Sequence, residues 1–339
     1  MRVLLYVGYQ AVEFDGRTNT GIAGTELAVI NIAKELVKFG YKVVVSGEVK
    51  NSGLIDGVEW IHTDELHFKY YNQFDVIISA SYIHFVLEFE NYNAKKVFWA
   101  HNTHHYPWWK GKIIETADEL LHQVDRTVCL TEWHKHQWSN TYGIDLNKIE
   151  VLGNGLDTST FVGTPQKIKG KFIWTSAVDR GLSELLYHWP KIKSAIPHAS
   201  LDIYAPSYSP ALVENYNTNN LIDVNFIGDV DQITLHDAML RAEYWCYITD
   251  YEETYCMTAL EMQYAKVLPI VTRVAALSET VNSGIILERN ETNWDQVVKI
   301  LDTLGSELKN KSTESAFQWA KQQTWNARSY DWKNLLESL

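Results

Sequence analysis

Short apolar runs alternating with stretches of helical periodicity constrain this chain more than any other feature. Val3–Val7, Val43–Ser46, Val76–Ser79, Val97–Ala100 and Thr127–Leu130 have the length and character of strands. Helical patterns cover Thr25–Phe39, the neighbourhood of Ile114–His122, and Glu132–Asn140 between them. Strands that alternate with helices specify an α/β chain with a doubly wound parallel sheet. The second half repeats the pattern. Its strands are Phe172–Thr175, Leu201–Tyr204, Val224–Ile227, Trp245–Ile248 and Leu268–Val271, and its helices Leu182–Lys193 and Thr234–Arg241. A chain of 339 residues exceeds one ordinary core. Two sheet domains are therefore expected, 1–157 and 158–316, with residues 317–339 as a further helical segment. The change falls at the glycine-rich turn Gly153-Asn154-Gly155-Leu156-Asp157 and the polar, lysine-rich stretch Thr164–Lys171.

Composition narrows the function classes. The net charge of −12 argues against a nucleic-acid partner and against attraction to anionic lipid. Three scattered cysteines, Cys129, Cys246 and Cys256, match no disulfide framework or metal spacing and fit a reducing, cytoplasmic compartment. The N-terminal run Met1–Val7 is too short for a signal peptide and reads as the first strand. No run approaches the length of a membrane span, so no transmembrane segment is expected. Thirteen Trp and nineteen Tyr supply faces suited to sugar rings, although most such residues serve packing.

Ligands of doubly wound sheets bind at the carboxyl ends of the strands. Five stretches there carry candidate chemistry. After the first strand, Gly8–Gly24 ends in Gly21-Ile-Ala-Gly24-Thr25-Glu26, where backbone N–H groups can approach a ligand at a helix start. An ordinary tight turn into the helix explains the glycines as well. His101 closes the Val97–Ala100 strand and opens a loop with His104, His105, Trp108, Trp109 and Lys110. As a neutral imidazole it can bond a sugar hydroxyl, and the histidine spacing matches no familiar metal site. Ser176-Ala-Val-Asp179-Arg180-Gly181 places a guanidinium, able to clamp two phosphate oxygens, at the mouth of a helix. Pairing of Arg180 with Asp179 is the plainer alternative. Asp229-Val-Asp231 has the spacing of an acidic metal pair, but Asp231 also suits a helix N-cap. The fifth stretch is Asp250–Ala265, in which Glu253 and Glu261 flank a strand–loop–helix corner whose uncapped N–H groups can hold hydroxyls or phosphate oxygens. Thr258-Ala-Leu-Glu261 fits a capping box equally.

Taken in order, these motifs resemble the GT-B fold glycosyltransferases of the retaining family-four type. The likeness is densest over Phe172–Val281: the Ser176–Gly181 loop, the Glu-x7-Glu of Glu253 and Glu261, Pro269-Ile-Val-Thr272, and Leu277-Ser-Glu279. Gly21–Glu26, His101 and Asn154-Gly-Leu-Asp157 add matches in the first half, and the Trp-rich segment 317–339 resembles the helices that cross back to the first domain. The resemblance implies two Rossmann-like domains, the first for the acceptor and the second for a nucleotide sugar. It implies that Glu261 takes ribose hydroxyls, that Glu253 holds hydroxyls of the transferred sugar, and that the amides of Tyr255, Cys256 and Met257 line the pocket. Arg180 and Ser176 would meet the diphosphate, Gly24 and Thr25 would close over the phosphate, and His101 would touch the donor sugar. Three departures stand out. Thr254-Tyr255-Cys256 replaces the usual Gly-Phe-Gly, Arg180 lacks a companion lysine, and Lys266 replaces a common glycine.

The implied activity is metal-independent transfer of a sugar, with retention, from a nucleotide-diphosphate sugar to a glycan or other hydroxyl acceptor. No cofactor is expected; catalysis would fall to Glu253, Arg180 and His101. Two other readings are a sugar-nucleotide epimerase or phosphorylase on the same fold, and a non-catalytic glycan-binding protein. A nicotinamide dehydrogenase is disfavoured because no Gly-x-Gly-x-x-Gly follows the first strand.

Overall fold

Among the described residues, ten strands precede residue 156: β1 (Arg2–Tyr6), β2 (Lys42–Gly47), β3 (Gly53–Ile55), β4 (Val58–His62), β5 (Val76–Ala80), β6 (Lys95–Trp99), β7 (Trp108–Trp109), β8 (Lys112–Ile113), β9 (Arg126–Cys129) and β10 (Ile149–Val151). Six follow: β11 (Lys171–Trp174), β12 (Ser200–Ile203), β13 (Val224–Phe226), β14 (Tyr244–Tyr247), β15 (Leu268–Arg273) and β16 (Ile285–Glu288). The computed structural model describes residues 1–9, 13–19, 21, 23–109, 112–205, 221–289 and 293–339. Part of the Gly8–Gly24 loop, together with Lys110, lies outside the described residues. Chain contacts gather Met1–Thr18, Ile22–Gly155 and Trp325–Leu339 into one compact unit, and Asn19–Gly21 with Leu156–Thr324 into another.

The first unit holds an eight-stranded sheet in the order β10-β9-β6-β5-β1-β2-β4-β3. All neighbours run parallel except the antiparallel edge strand β3. Connections leave β1 towards β2 and β5 towards β6, so the chain reverses its direction of travel between β1 and β5. That central position explains why β5 is buried along its whole length and β1 from Val3 onward. The last helix, Trp325–Ser338, packs in this unit on the helix Gly24–Lys38, and Trp332 sets its ring 4.8 Å from that of Trp99. Residues Phe317–Thr324 pack with the second unit.

The second unit holds a six-stranded, all-parallel sheet in the order β13-β12-β11-β14-β15-β16. Here the reversal falls between β11 and β14. Its core is Phe172, Trp174, Trp189, Trp245 and Tyr247 with aliphatic residues around them. The sequence pattern missed β3, β4, β7, β8 and β16. In β4 Glu59 and His62 interrupt the apolar residues, and β16 is an edge strand whose Ile285–Leu287 are only partly buried.

Candidate active site

A doubly wound sheet opens a crevice at its carboxyl edge where the strand order reverses, because the two flanking loops turn to opposite faces. In the second unit those loops follow β11 and β14. They are the stretches that carry Arg180 and Glu253.

Gly181 brings them together. Its φ of +108° lies where side chains are strained, and a Cβ there would sit 2.6 Å from the Ile248 carbonyl oxygen, just beyond β14. Only a residue without Cβ lets the first loop rest on the end of that strand. Arg180 Nη1 then donates to Glu253 Oε1 at 2.9 Å. Its guanidinium also lies over the ring of Tyr251, 4.4 Å from the centroid. The same Glu253 oxygen accepts the Tyr247 hydroxyl at 2.6 Å. Glu253 is buried, and the Arg180 side chain is 30% exposed, so the cation is the solvent-facing partner. Burial opposes the charge on Arg180, yet Glu253, Tyr247 and Tyr251 outweigh it and raise its pKa. Burial, then Glu253, lifts the Tyr247 hydroxyl well above its usual range, so it remains a donor. Asp179 is exposed, and the carboxylate that engages Arg180 is Glu253.

The helix after this loop starts at Met257, with Cys256 as N-cap and no side-chain cap. Thr258 therefore stands at the second helical position and Glu261 at the fifth, and the capping box open to the sequence does not form. Glu261 is left with a different partner, His236 Nε2, at 3.4 Å. The thiol of Cys256 reports the layout around the helix start. Burial raises its pKa, Glu253 and Glu261 raise it further, and Arg180 lowers it. All three charged groups thus act on one buried atom. Tyr255 is buried beside it, and Met257 is partly buried. Ser176 is buried at the start of the first loop, its carbonyl accepting Trp174 Nε1 at 2.7 Å.

Cys256 has φ +66° and Lys266 φ +55°. These are two of the positions where the resemblance led glycine to be expected. The backbone there is left-handed, and a side chain carries the strain. At Lys266 the strain is offset by an ion pair to Glu314 at 2.6 Å and by the Phe317 ring, 4.6 Å away.

In the first unit, His101 follows β6 and is buried. Burial, with His134 nearby, pushes its pKa down to about 3, so the imidazole is neutral near pH 7. Its ring lies 4.3 Å from that of Trp99. The carbonyl of the next residue, Asn102, is pinned by His134 Nε2 at 2.9 Å and Trp138 Nε1 at 2.9 Å. His134 Nδ1 accepts from the Leu130 amide at 3.2 Å. Gly24 and Thr25 open the helix Gly24–Lys38, whose N-cap, Ala23, offers no side-chain bond. His105 is bound to Asp118 at 2.6 Å and His104 to Thr103 at 3.1 Å. Among the described residues, no group of three or more His, Cys, Asp or Glu could hold a metal ion. Asp231 caps the helix Gln232–Arg241 by accepting from the Thr234 amide at 2.9 Å.

Tyr247, Tyr251, His134, Trp138 and His236 did not emerge from sequence reasoning. Tyr247 and His134 had a signal, since each lies at a strand's carboxyl end or in the first turn of the helix after it. His236 had none, because it meets Glu261 only through tertiary packing.

Residues 59–160 match the model of Glycosyltransferase Family 4. The chain has the GT-B fold, and its first half is similar to family-four glycosyltransferases. That match falls in the first half, whereas the densest motifs fall in the second. No curated protein matches the sequence. Solved structures of the same fold extend over the whole chain. A glycosyltransferase from Rickettsia africae ESF-5 is 18% identical, with TM-score 0.76, covering 99% of this chain and 98% of that one. HepE of Anabaena, solved with UDP-glucose, is 13% identical, with TM-score 0.74 and full coverage of both chains. WaaG, involved in lipopolysaccharide biosynthesis, is 12% identical, with TM-score 0.69 and 99% coverage of each. Among the described residues, no helix is long and apolar enough to cross a membrane.

Proposed function

We propose that this family-four type chain moves a sugar from a nucleotide-diphosphate sugar to a hydroxyl of a glycan acceptor, with retention of configuration and without a metal. The observation that carries the reading is the Arg180–Glu253 pair at the strand-order reversal of the second sheet, beside a helix start with no side-chain cap. Arg180 is held on the exposed side of a buried carboxylate and stays charged throughout the working pH range. It faces the diphosphate, and the N–H groups at Cys256 and Met257 supplement it. Glu253 keeps the Tyr247 bond on one oxygen and offers the carboxylate to hydroxyls of the transferred sugar. Glu261 takes the ribose hydroxyls. Ser176, Gly24 and Thr25 serve the phosphates, and neutral His101 bonds a donor-sugar hydroxyl without competing for the anion.

Chemistry follows from charge. As the anomeric carbon–oxygen bond to phosphate lengthens, negative charge grows on the diphosphate, and fixed donors aimed at it lower the barrier by several kcal/mol. The acceptor oxygen bonds to the same face of that carbon, and its proton passes to the departing phosphate oxygen. No separate protein base is required. The cytoplasm is the proposed compartment, and the three free, buried cysteines fit it.

UDP-glucose, the ligand of HepE, is the first donor to test. A thermal-shift screen across nucleoside diphosphates and their sugar conjugates should show stabilisation by one base class, since any ligand of the native state raises its melting point. Glu253→Ala should then lower transfer at least about 100-fold, as loss of one transition-state contact does, while diphosphate affinity changes far less. Undiminished transfer by that variant would remove Glu253 from the mechanism.

A further inference from the structure

His236 lies on the helix Gln232–Arg241, is 2% exposed, and has so far no role. Its ring stacks flat on Phe161, with centroids 3.9 Å apart and 10° between planes, which fixes the direction of both nitrogens. Nδ1 lies 2.8 Å from Thr160 Oγ1. That hydroxyl already donates to the Asp157 carbonyl at 2.9 Å, and a hydroxyl has one proton to give. Nδ1 must therefore be the donor to Thr160. In a neutral ring Nε2 would then be a bare lone pair, buried without a hydrogen-bond partner and facing Glu261 Oε1 at 3.4 Å. Two acceptors pointed at one another in a dry site repel. A proton on Nε2 turns that contact into a charge-assisted bond.

We propose that His236 is the positioning residue of the nucleoside site, carrying a proton on both nitrogens and donating through Nε2 to Glu261, so that the carboxylate is held in the orientation that receives ribose hydroxyls. This rests on the reading of Glu261 given above. One oxygen is spoken for by the imidazolium, and the other is aimed by it. Charges on its own helix and on the elements packed against it are matched elsewhere. On its own helix Arg241 binds Asp237 at 2.7 Å. From β11, Lys171 binds Asp202 at 2.5 Å. From the turn before Phe161, the Asp157 carboxylate accepts from the Ser159 amide at 3.0 Å. Glu261 is the carboxylate set against the ring. The site should consequently prefer ribose over deoxyribose.

The test is calorimetric titration of wild type, His236→Phe, His236→Asn and His236→Gln with UDP, GDP and ADP and their 2′-deoxy and 3′-deoxy counterparts. Phe preserves the stacking, Asn preserves the Thr160 donor, and Gln places an uncharged donor where Nε2 stands. Melting curves confirm that each variant is folded. Phe and Asn should weaken binding of the ribonucleotide about tenfold, the scale of one charge-assisted bond, with deoxynucleotide binding nearly unchanged. Gln should restore the ribose preference. If wild type binds but Phe and Asn keep the full ribose preference, His236 does not position Glu261, and this inference alone fails. If wild type binds none of these nucleotides, the donor site itself is wrong and the inference falls with it.

Discussion

Gly181→Ala probes the joint on which the candidate site is built. Gly181 and Gly163 both lie in the second unit, with φ +108° and +81°, but a Cβ at Gly163 meets nothing within 4 Å, whereas one at Gly181 meets the Ile248 carbonyl at 2.6 Å. Alanine at either position bears the cost of positive φ, roughly 1–2 kcal/mol. At Gly181 the new carbon must also retreat by roughly 0.8 Å to reach ordinary contact, and overpacking of that kind costs about 1–3 kcal/mol more. For a unit of this size that difference lowers the melting temperature by a further 3–9 °C or so. The displaced loop carries Arg180 away from Glu253, so nucleoside diphosphate affinity should fall at least about tenfold, whereas Gly163→Ala should leave it unchanged; misplacement by about 1 Å suffices for losses of this scale. Thermal unfolding of both variants, with and without diphosphate, reads both effects. Equal melting points and equal affinities would refute the claim that Gly181 sets the Arg180–Glu253 geometry.

Further outcomes follow from the same structure. At Lys266, glycine should be more stable than alanine by about 1 kcal/mol, because glycine sheds the left-handed strain that alanine keeps while both lose the Glu314 pair; denaturant midpoints with Ala above Gly would contradict it. At Cys256, glycine should be tolerated within about 1 kcal/mol, while valine, β-branched at positive φ, should cost at least about 2 kcal/mol. Burial depresses His101 to about 3 and His134 to about 4, so between those values and the ordinary imidazole range only the unfolded chain takes up their protons. Stability should therefore be full above about pH 6.5 and fall as pH drops, by up to roughly 1.4 kcal/mol per unit for each ring. His134→Gln should flatten that slope; an unchanged slope in denaturant titrations from about pH 4 to about pH 7 would show that His134 is not buried neutral.

Much of this protein was legible in its sequence because the relevant physics is local. Val3–Val7, Val76–Ser79 and Trp245–Ile248 are apolar without alternation, which suits strands covered on both faces, and they form β1, β5 and β14 at the centres of two parallel sheets. Glycine at the mouth of a helix and carboxylates about it also announce themselves in one dimension. The helix start at Cys256 was less legible. The Thr258–Glu261 spacing fits a capping box, and only the backbone at the preceding residue, Met257, shows that the helix has already begun.

Sequence by itself determined the α/β alternation and the residues that crowd the carboxyl edge of the second sheet. Tertiary structure decided their partners: Arg180 takes Glu253 from a loop 73 residues away, Tyr247 joins it, and Glu261 meets His236. Strand character is encoded in neighbours a few residues apart. Which charge neutralises which depends on strand order, and strand order is fixed only when the whole sheet has assembled.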